Sequence, residues 1–208
     1  ALCGLLEIEG GSLRWKGSPV EPRSPEFQRE LVYLGHDPPL KGDLSVAENL
    51  RFAAVMRGIP RLRRGEAVSA ALREADASRF ADRLARSLSA GQRRRVALAL
   101  LCLAPAPIWL LDEPVTHLDT TGLALVTRLI EGHLQRSGLV IAATHQDLGL
   151  PPQARDDLAF ARHDQTDGRL EPGLDAGLFP GAQRAGYGGL ALLEAIVAER
   201  DFCFALEI

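Results

Sequence analysis

The chain has 208 residues, 46% hydrophobic and 25% charged, with a formal net charge of −3; this is the make-up of a soluble globular domain, and it offers no electrostatic case for a nucleic-acid partner. Its longest apolar stretch, from Val96 to Leu111, is broken by Pro105 and Pro107, so it falls short of the ~20 residues a spanning helix needs, and membrane work would require another subunit. Cys3, Cys102 and Cys203 lie far apart in no C-x-x-C pairing, and read as incidental thiols rather than a metal set or a disulfide framework.

In chain order, residues 1–9 read as the end of a helix stopped by Gly10-Gly11, and Ser12 to Lys16 as a short strand closed by Gly17-Ser18-Pro19. Leu31 to Leu34 reads as a buried strand, ended by Gly35 and the loop His36-Asp37-Pro38-Pro39. From Leu44 to Leu84 the texture is helical: Ser45 and Glu48 form a capping box, and a second helix covers Arg64 to Asp76. A further helix spans Ala90 to Leu103, and Ile108 to Leu111 is apolar throughout, as in a parallel strand covered on both faces. Asp119 to Gln135 is an amphipathic helix with Leu123, Val126, Ile130 and Leu134 on one face, and Leu139 to Ala143 is the next buried strand. This alternation predicts an α/β fold with a parallel sheet. Residues 163–188 read as loop or disordered, and Leu190, Leu193, Ile196 and Val197 as a last short amphipathic helix.

Three places carry chemistry. An apolar strand ends in Asp112 and Glu113; at such a tip the first carboxylate can hold Mg²⁺ and the second can polarise a water, although a bare pair is equally consistent with solvated carboxylates. Leu88-Ser89-Ala90-Gly91-Gln92 opens a helix with a second capping box, which makes either an ordinary cap or an anion site. The run Arg93-Arg94-Arg95 after it reads as a solvated helix face. His145 closes a strand and can donate a hydrogen bond to developing phosphate charge, or can be structural. Asp119, after Thr116-His117-Leu118, reads at the least as a helix cap.

The order LSAGQ (88–92), LLDEP (110–114), THLD (116–119) and ATHQ (143–146) resembles an ATP-binding-cassette ATPase over residues 1 to about 148. The resemblance implies a P-loop NTPase-like core with an inserted helical signature subdomain, divided as 1–43 and 92–148 (core), 44–91 (signature subdomain) and 149–208 (a divergent, partly disordered tail). It implies ATP and Mg²⁺ as ligands. Ser89, Ala90, Gly91, Gln92 and Asp119 would then meet nucleotide, Asp112 and Asp37 metal, and Glu113 and His145 would be catalytic. The implied partners are a transmembrane permease and a second ATP-binding subunit, at the cytoplasmic face of the inner membrane. Tyr33-Leu34-Gly35-His36-Asp37-Pro38, Glu48-Asn49-Leu50 and LSAGQRRRVALA are more closely similar to the ATP-binding subunits of cytochrome c maturation haem exporters.

Two features depart from the family. Asp37 stands where the family has glutamine, which adds a negative charge beside Asp112 and Glu113. The 208 residues also hold no G-x-x-x-x-G-K-[ST], and neither lysine, Lys16 or Lys41, sits in such a context; the expected place for that loop and the first strands is upstream, its lysine about six residues before Ala1. Two other readings stay open: a non-catalytic cassette acting as an interaction module, and a soluble cassette ATPase of translation or DNA repair.

Overall fold

The computed structural model describes residues 3–5, 13–103, 105–151, 158–163, 170–172, 193–197 and 202–206. Strands β1 (Arg14–Trp15) and β2 (Ser18–Pro19) form a small antiparallel hairpin, and helix α1 (Pro25–Glu30) leads directly into β3 (Leu31–Leu34). Two helices follow, α2 (Val46–Met56) and α3 (Arg64–Glu74), then α4 (Ala90–Cys102), β4 (Ile108–Asp112), α5 (Thr120–Gln135) and β5 (Leu139–Ala143). The main sheet runs β3-β4-β5 and continues into β6 (Leu158–His163) and β7 (Leu170–Pro172); all its pairs are parallel except β6 with β7.

The central strands are apolar at nearly every position, and the two-residue period of a strand sorts them onto two faces. Val32, Leu34, Trp109, Leu111, Val140 and Ala142 join the core formed with the helices. Leu31, Ile108, Leu110, Leu139 and Ile141 pack on the other side with Leu13, Trp15 and Phe27. Of the amphipathic face of α5, Val126, Ile130 and Leu134 are buried and Leu123 is half-buried against the same core. Both capping boxes form, at Ser45/Glu48 and at Ser89/Gln92. Buried Asn49 fixes the loop into α2: its Nδ2 donates to the carbonyls of Lys41, Leu44 and Ser45, and its Oδ1 accepts from Lys41 N.

Four expectations change. Residues 3–5 form a turn with Gly4 at φ +75° rather than helix; Gln28 and Arg23 bond the carbonyls of Cys3 and Gly4 that a helix would have used, while residues 1, 2 and 6–9 lie outside the described ones. Leu193–Val197 is not a helix but β8, paired antiparallel with β9 (Phe202–Leu206). A period-3.6 pattern in so short a window is weak, and Ile196 and Val197 opposite Cys203 and Phe202 suit strand pairing. Within 163–188, read as loop, Leu170–Pro172 is strand; of the rest only His163, the end of β6, is described. Arg94, placed on a solvated face, is 2% exposed. No helix among the described residues is long and apolar enough to cross a membrane.

One packing detail generates a pH dependence. The His133 ring stacks on Trp109, with centroids 4.0 Å apart, and its Nε2 lies 3.2 Å from the Pro107 carbonyl oxygen. A side chain on Gly138 would collide with that ring. Burial pushes the His133 pKa down to about 4, below the ~6.5 of an unfolded histidine. The unfolded state therefore binds the proton first, so stability is complete above about pH 6.5 and is lost as pH falls toward 4. We expect up to ~3 kcal/mol of such loss in urea titrations across this window, and its disappearance in His133→Phe.

Candidate functional site

The parallel register pairs Leu34 with Leu111 and Asp112 with Ala143. The residues following these strands, Gly35 to Asp37, Glu113-Pro114 and Thr144-His145, consequently emerge at one edge of the sheet, the carboxyl edge where α/β folds bind ligands. Asp112 and Glu113 are half-buried there, and Asp37 and His145 are exposed.

Glu113 is the most constrained of them. Its φ is +47°, the left-handed region, which costs a residue with a side chain about 1–3 kcal/mol. Several bonds hold it there. Its N–H donates to the Ala143 carbonyl at 2.8 Å, its Oε2 accepts from Thr144 Oγ1 at 3.3 Å and its Oε1 from His145 N at 3.0 Å. His145 Nε2 lies 3.8 Å from the same Oε1. The structure thus brings Glu113 and His145 together, and adds Thr144, which sequence reasoning passed over. Tyr33 also belongs to this edge: burial, followed by the charge of Asp112, raises the pKa of its phenol.

The signature residues sit elsewhere. Ser89 caps α4, its Oγ accepting from Gln92 N at 3.3 Å while Gln92 Oε1 accepts from Ser89 N at 3.1 Å. Asp119 caps α5: its Oδ1 accepts from Gly122 N and Thr121 Oγ1, both at 2.8 Å, and from Arg95 Nη2 at 3.4 Å. These bonds, the Gly122 amide first, hold the Asp119 carboxyl below its usual pKa. Ser89, Gly91, Gln92, His117 and Asp119 line one cleft of about 320 Å³. Asp37, Asp112, Glu113 and His145 do not line it, and neither does Ala90, which is half-buried beside it. The candidate residues therefore form two clusters, one at the strand tips and one between α4 and the loop before α5.

Gly91 shows why the second cluster needs glycine. A Cβ there would lie 2.7 Å from the carbonyl oxygen of His117, itself at φ +63°. Helix α4 and the 116–119 loop touch backbone to backbone at this point. Gly91→Ala should force them apart and lower Tm by about 3–10 °C, measurable by calorimetry; an unchanged Tm would mean that the loop yields freely.

Comparison with known proteins bears on the family and the fold. The profile of the family described as ABC transporter matches residues 1–116, a span that includes Ser89 to Glu113 and stops short of Asp119 and His145. The cytochrome c biogenesis ATP-binding export protein CcmA of Methylococcus capsulatus is 40% identical over 154 residues, 74% of this chain and 73% of its own. CcmA 2 of Cupriavidus metallidurans is 44% identical over 147 residues, 71% and 69% of the two chains. Among solved structures, cbiO1 from Clostridium perfringens, part of the ABC transporter complex cbiONQ, is similar with a TM-score of 0.61 at 26% identity, covering 76% of this chain and 65% of its own. The ATP-binding cassette MJ0796, a dimer in a post-hydrolysis state bound to ADP and Pi, shares the fold with a TM-score of 0.57 at 19% identity, covering 69% and 66%. The chain spans just under two thirds of each of these two solved chains. With a family profile over more than half of its length and relatives at least 40% identical over more than two thirds of it, the chain belongs to the ABC transporter ATP-binding family.

Proposed function

We propose that this chain is the ATP-hydrolysing subunit of an exporter serving cytochrome c assembly, with haem as cargo, at the cytoplasmic face of the inner membrane. The observation that carries the hydrolytic part is the Glu113 carboxylate, held by Thr144 and the His145 backbone beside Asp112. The export part rests on the identity to proteins named for that task. We divide the chain as the motifs suggest, with 1–43 and 92–148 as the ATPase core, 44–91 as the signature subdomain and 149–208 as a tail, of which β6 and β7 extend the core sheet.

In this reading Glu113 accepts a hydrogen bond from a water and takes its proton as the water oxygen attacks the γ-phosphorus. The bond from that phosphorus to the β–γ bridging oxygen breaks, releasing ADP and phosphate. His145 Nε2, close to the Glu113 carboxylate, donates to the γ-phosphate oxygens as charge moves onto them. The described residues hold no cluster of three or more His, Cys, Asp or Glu suited to a metal. Mg²⁺ normally takes one or two carboxylates and completes its shell with phosphate and water oxygens, so Asp112, aided by Asp37, fits that mode. When bound, Mg²⁺ supplies charge neutralisation on the phosphates.

The separation of the two clusters supports a second ATP-binding subunit. The cleft of Ser89, Gly91, Gln92 and Asp119 does not include this chain's own hydrolytic residues, so it is free to close on nucleotide held by another copy. A permease surface is also available. Phe52, Val55 and Met56 fall at i, i+3 and i+4 on α2 and are 49%, 48% and 72% exposed, and Leu62 beyond them is 98% exposed.

Activity separates this reading from that of a non-catalytic interaction module. In the assembled transporter, Glu113→Gln should lower ATP hydrolysis by ~100-fold or more, whereas Asp37→Gln should raise it. Equal rates in wild type and Glu113→Gln would favour the interaction module, and no change in Asp37→Gln would place Asp37 outside the site. Met56→Asp together with Leu62→Asp should release the chain from its permease in a pull-down while leaving its Tm within a few degrees. Retained binding would move the permease contact elsewhere.

A further inference from the structure

Arg94 is a charged side chain that neither the hydrolytic cluster nor the signature cleft uses. It leaves α4 three residues after Gly91, is 2% exposed, and has no carboxylate as a hydrogen-bond partner. Its guanidinium faces backbone carbonyls only. Nε donates to Pro114 O at 3.2 Å, Nη1 to Gly35 O at 2.6 Å and His36 O at 3.1 Å, and Nη2 to Asp112 O at 2.6 Å and to Glu113 O. A guanidinium has five N–H groups, and all five are matched. The five acceptors belong to the loops at the tips of two strands, 35–36 after β3 and 112–114 at the end of β4. One side chain therefore fixes the segment that carries Asp37 against the segment that carries Asp112 and Glu113, and it holds the carbonyl of Glu113, the residue in the left-handed conformation.

Charge gives a second, independent indication. The groups whose charge bears on Arg94 are Asp112, Glu113 and Asp37, with the Tyr33 phenol. Asp37 is the departure noted in the sequence: a carboxylate where the family has a neutral amide. Three carboxylates at one sheet edge repel one another, and a fixed, buried cation behind them offsets that repulsion.

The geometry assigns to Arg94 a positioning role in ATP hydrolysis: it clamps the β3 and β4 tip loops in one arrangement and balances the extra negative charge that Asp37 brings to the site. The role in hydrolysis rests on the reading of Asp112 and Glu113 given above. The clamp and the charge balance do not, and they are tested without nucleotide.

The test is a double-mutant cycle on the chain, read by Tm and by amide hydrogen exchange at Glu113 and Thr116, whose N–H groups bond Ala143 O and Glu113 O. Arg94→Gln should lower Tm by about 6–15 °C and speed exchange at both amides. Asp37→Asn should leave Tm unchanged or lower it while Arg94 is present, and raise it in the Arg94→Gln background. That reversal of sign is something a purely space-filling Arg94 would not produce. Equal shifts of Asp37→Asn in the two backgrounds overturn the charge balance. So does a rise of several degrees in the presence of Arg94, a result available even if Arg94→Gln does not fold. Arg94→Lys keeps the charge but cannot reach five carbonyls. It should still speed exchange at Glu113 and Thr116, and wild-type exchange in that variant overturns the clamp.

Discussion

The site depends on a buried guanidinium that meets five carbonyl oxygens and no carboxylate. Taking an arginine out of water costs several kcal/mol, and only complete hydrogen bonding recovers it. Arg94 meets that condition in a single arrangement of the 35–36 and 112–114 loops, so the position of Glu113 follows from the position of α4. Carbonyls suit this task better than side-chain acids, because they accept without neutralising. The charge of Arg94 remains available to the carboxylates around it.

Helix α4 is thereby a two-sided element. Its cap residues and Gly91 face the loop before α5, where Arg95 reaches the Asp119 cap and Thr121. Arg94, next to Arg95 in sequence but ~100° around the helix, faces the strand tips. A shift of α4 against the sheet would be felt at both clusters at once. This gives physical content to the proposed mechanism, in which closure on a second subunit's nucleotide would be coupled to Asp112, Glu113 and His145.

Much of this was readable from residues alone. Ser45 with Glu48 and Ser89 with Gln92 are local patterns, and local hydrogen bonds realise them as written. The apolar runs 31–34, 108–111 and 139–143 are short and soon followed by loop residues, and each became a strand. Arg94 was not readable: three consecutive arginines look alike, and only the depth of each around the helix separates one buried residue from its two partly exposed neighbours. The strand at 193–197 escaped for a related reason, since its pairing partner lies in 202–206 and no local pattern announces it. Thr144 was passed over because its hydroxyl gains meaning only once β5 is in register with β4, opposite the Glu113 carboxylate.

Sequence alone determined the α/β class, the order of the elements and the family, because strand runs, capping boxes and the spaced motifs are short-range properties of the chain. The Asp112-Glu113 pair was visible there as two acids after an apolar run. Tertiary structure decided what that pair is: a half-buried acid next to one in a left-handed backbone conformation, the latter bonded by Thr144 and the His145 backbone, with its carbonyl held from behind by Arg94. It also decided that Ser89, Gly91, Gln92 and Asp119 line a cleft that Asp112, Glu113 and His145 do not. Both depend on contacts between segments about 20 to 60 residues apart, and such contacts exist only after the sheet has set its register and the helices have packed against it.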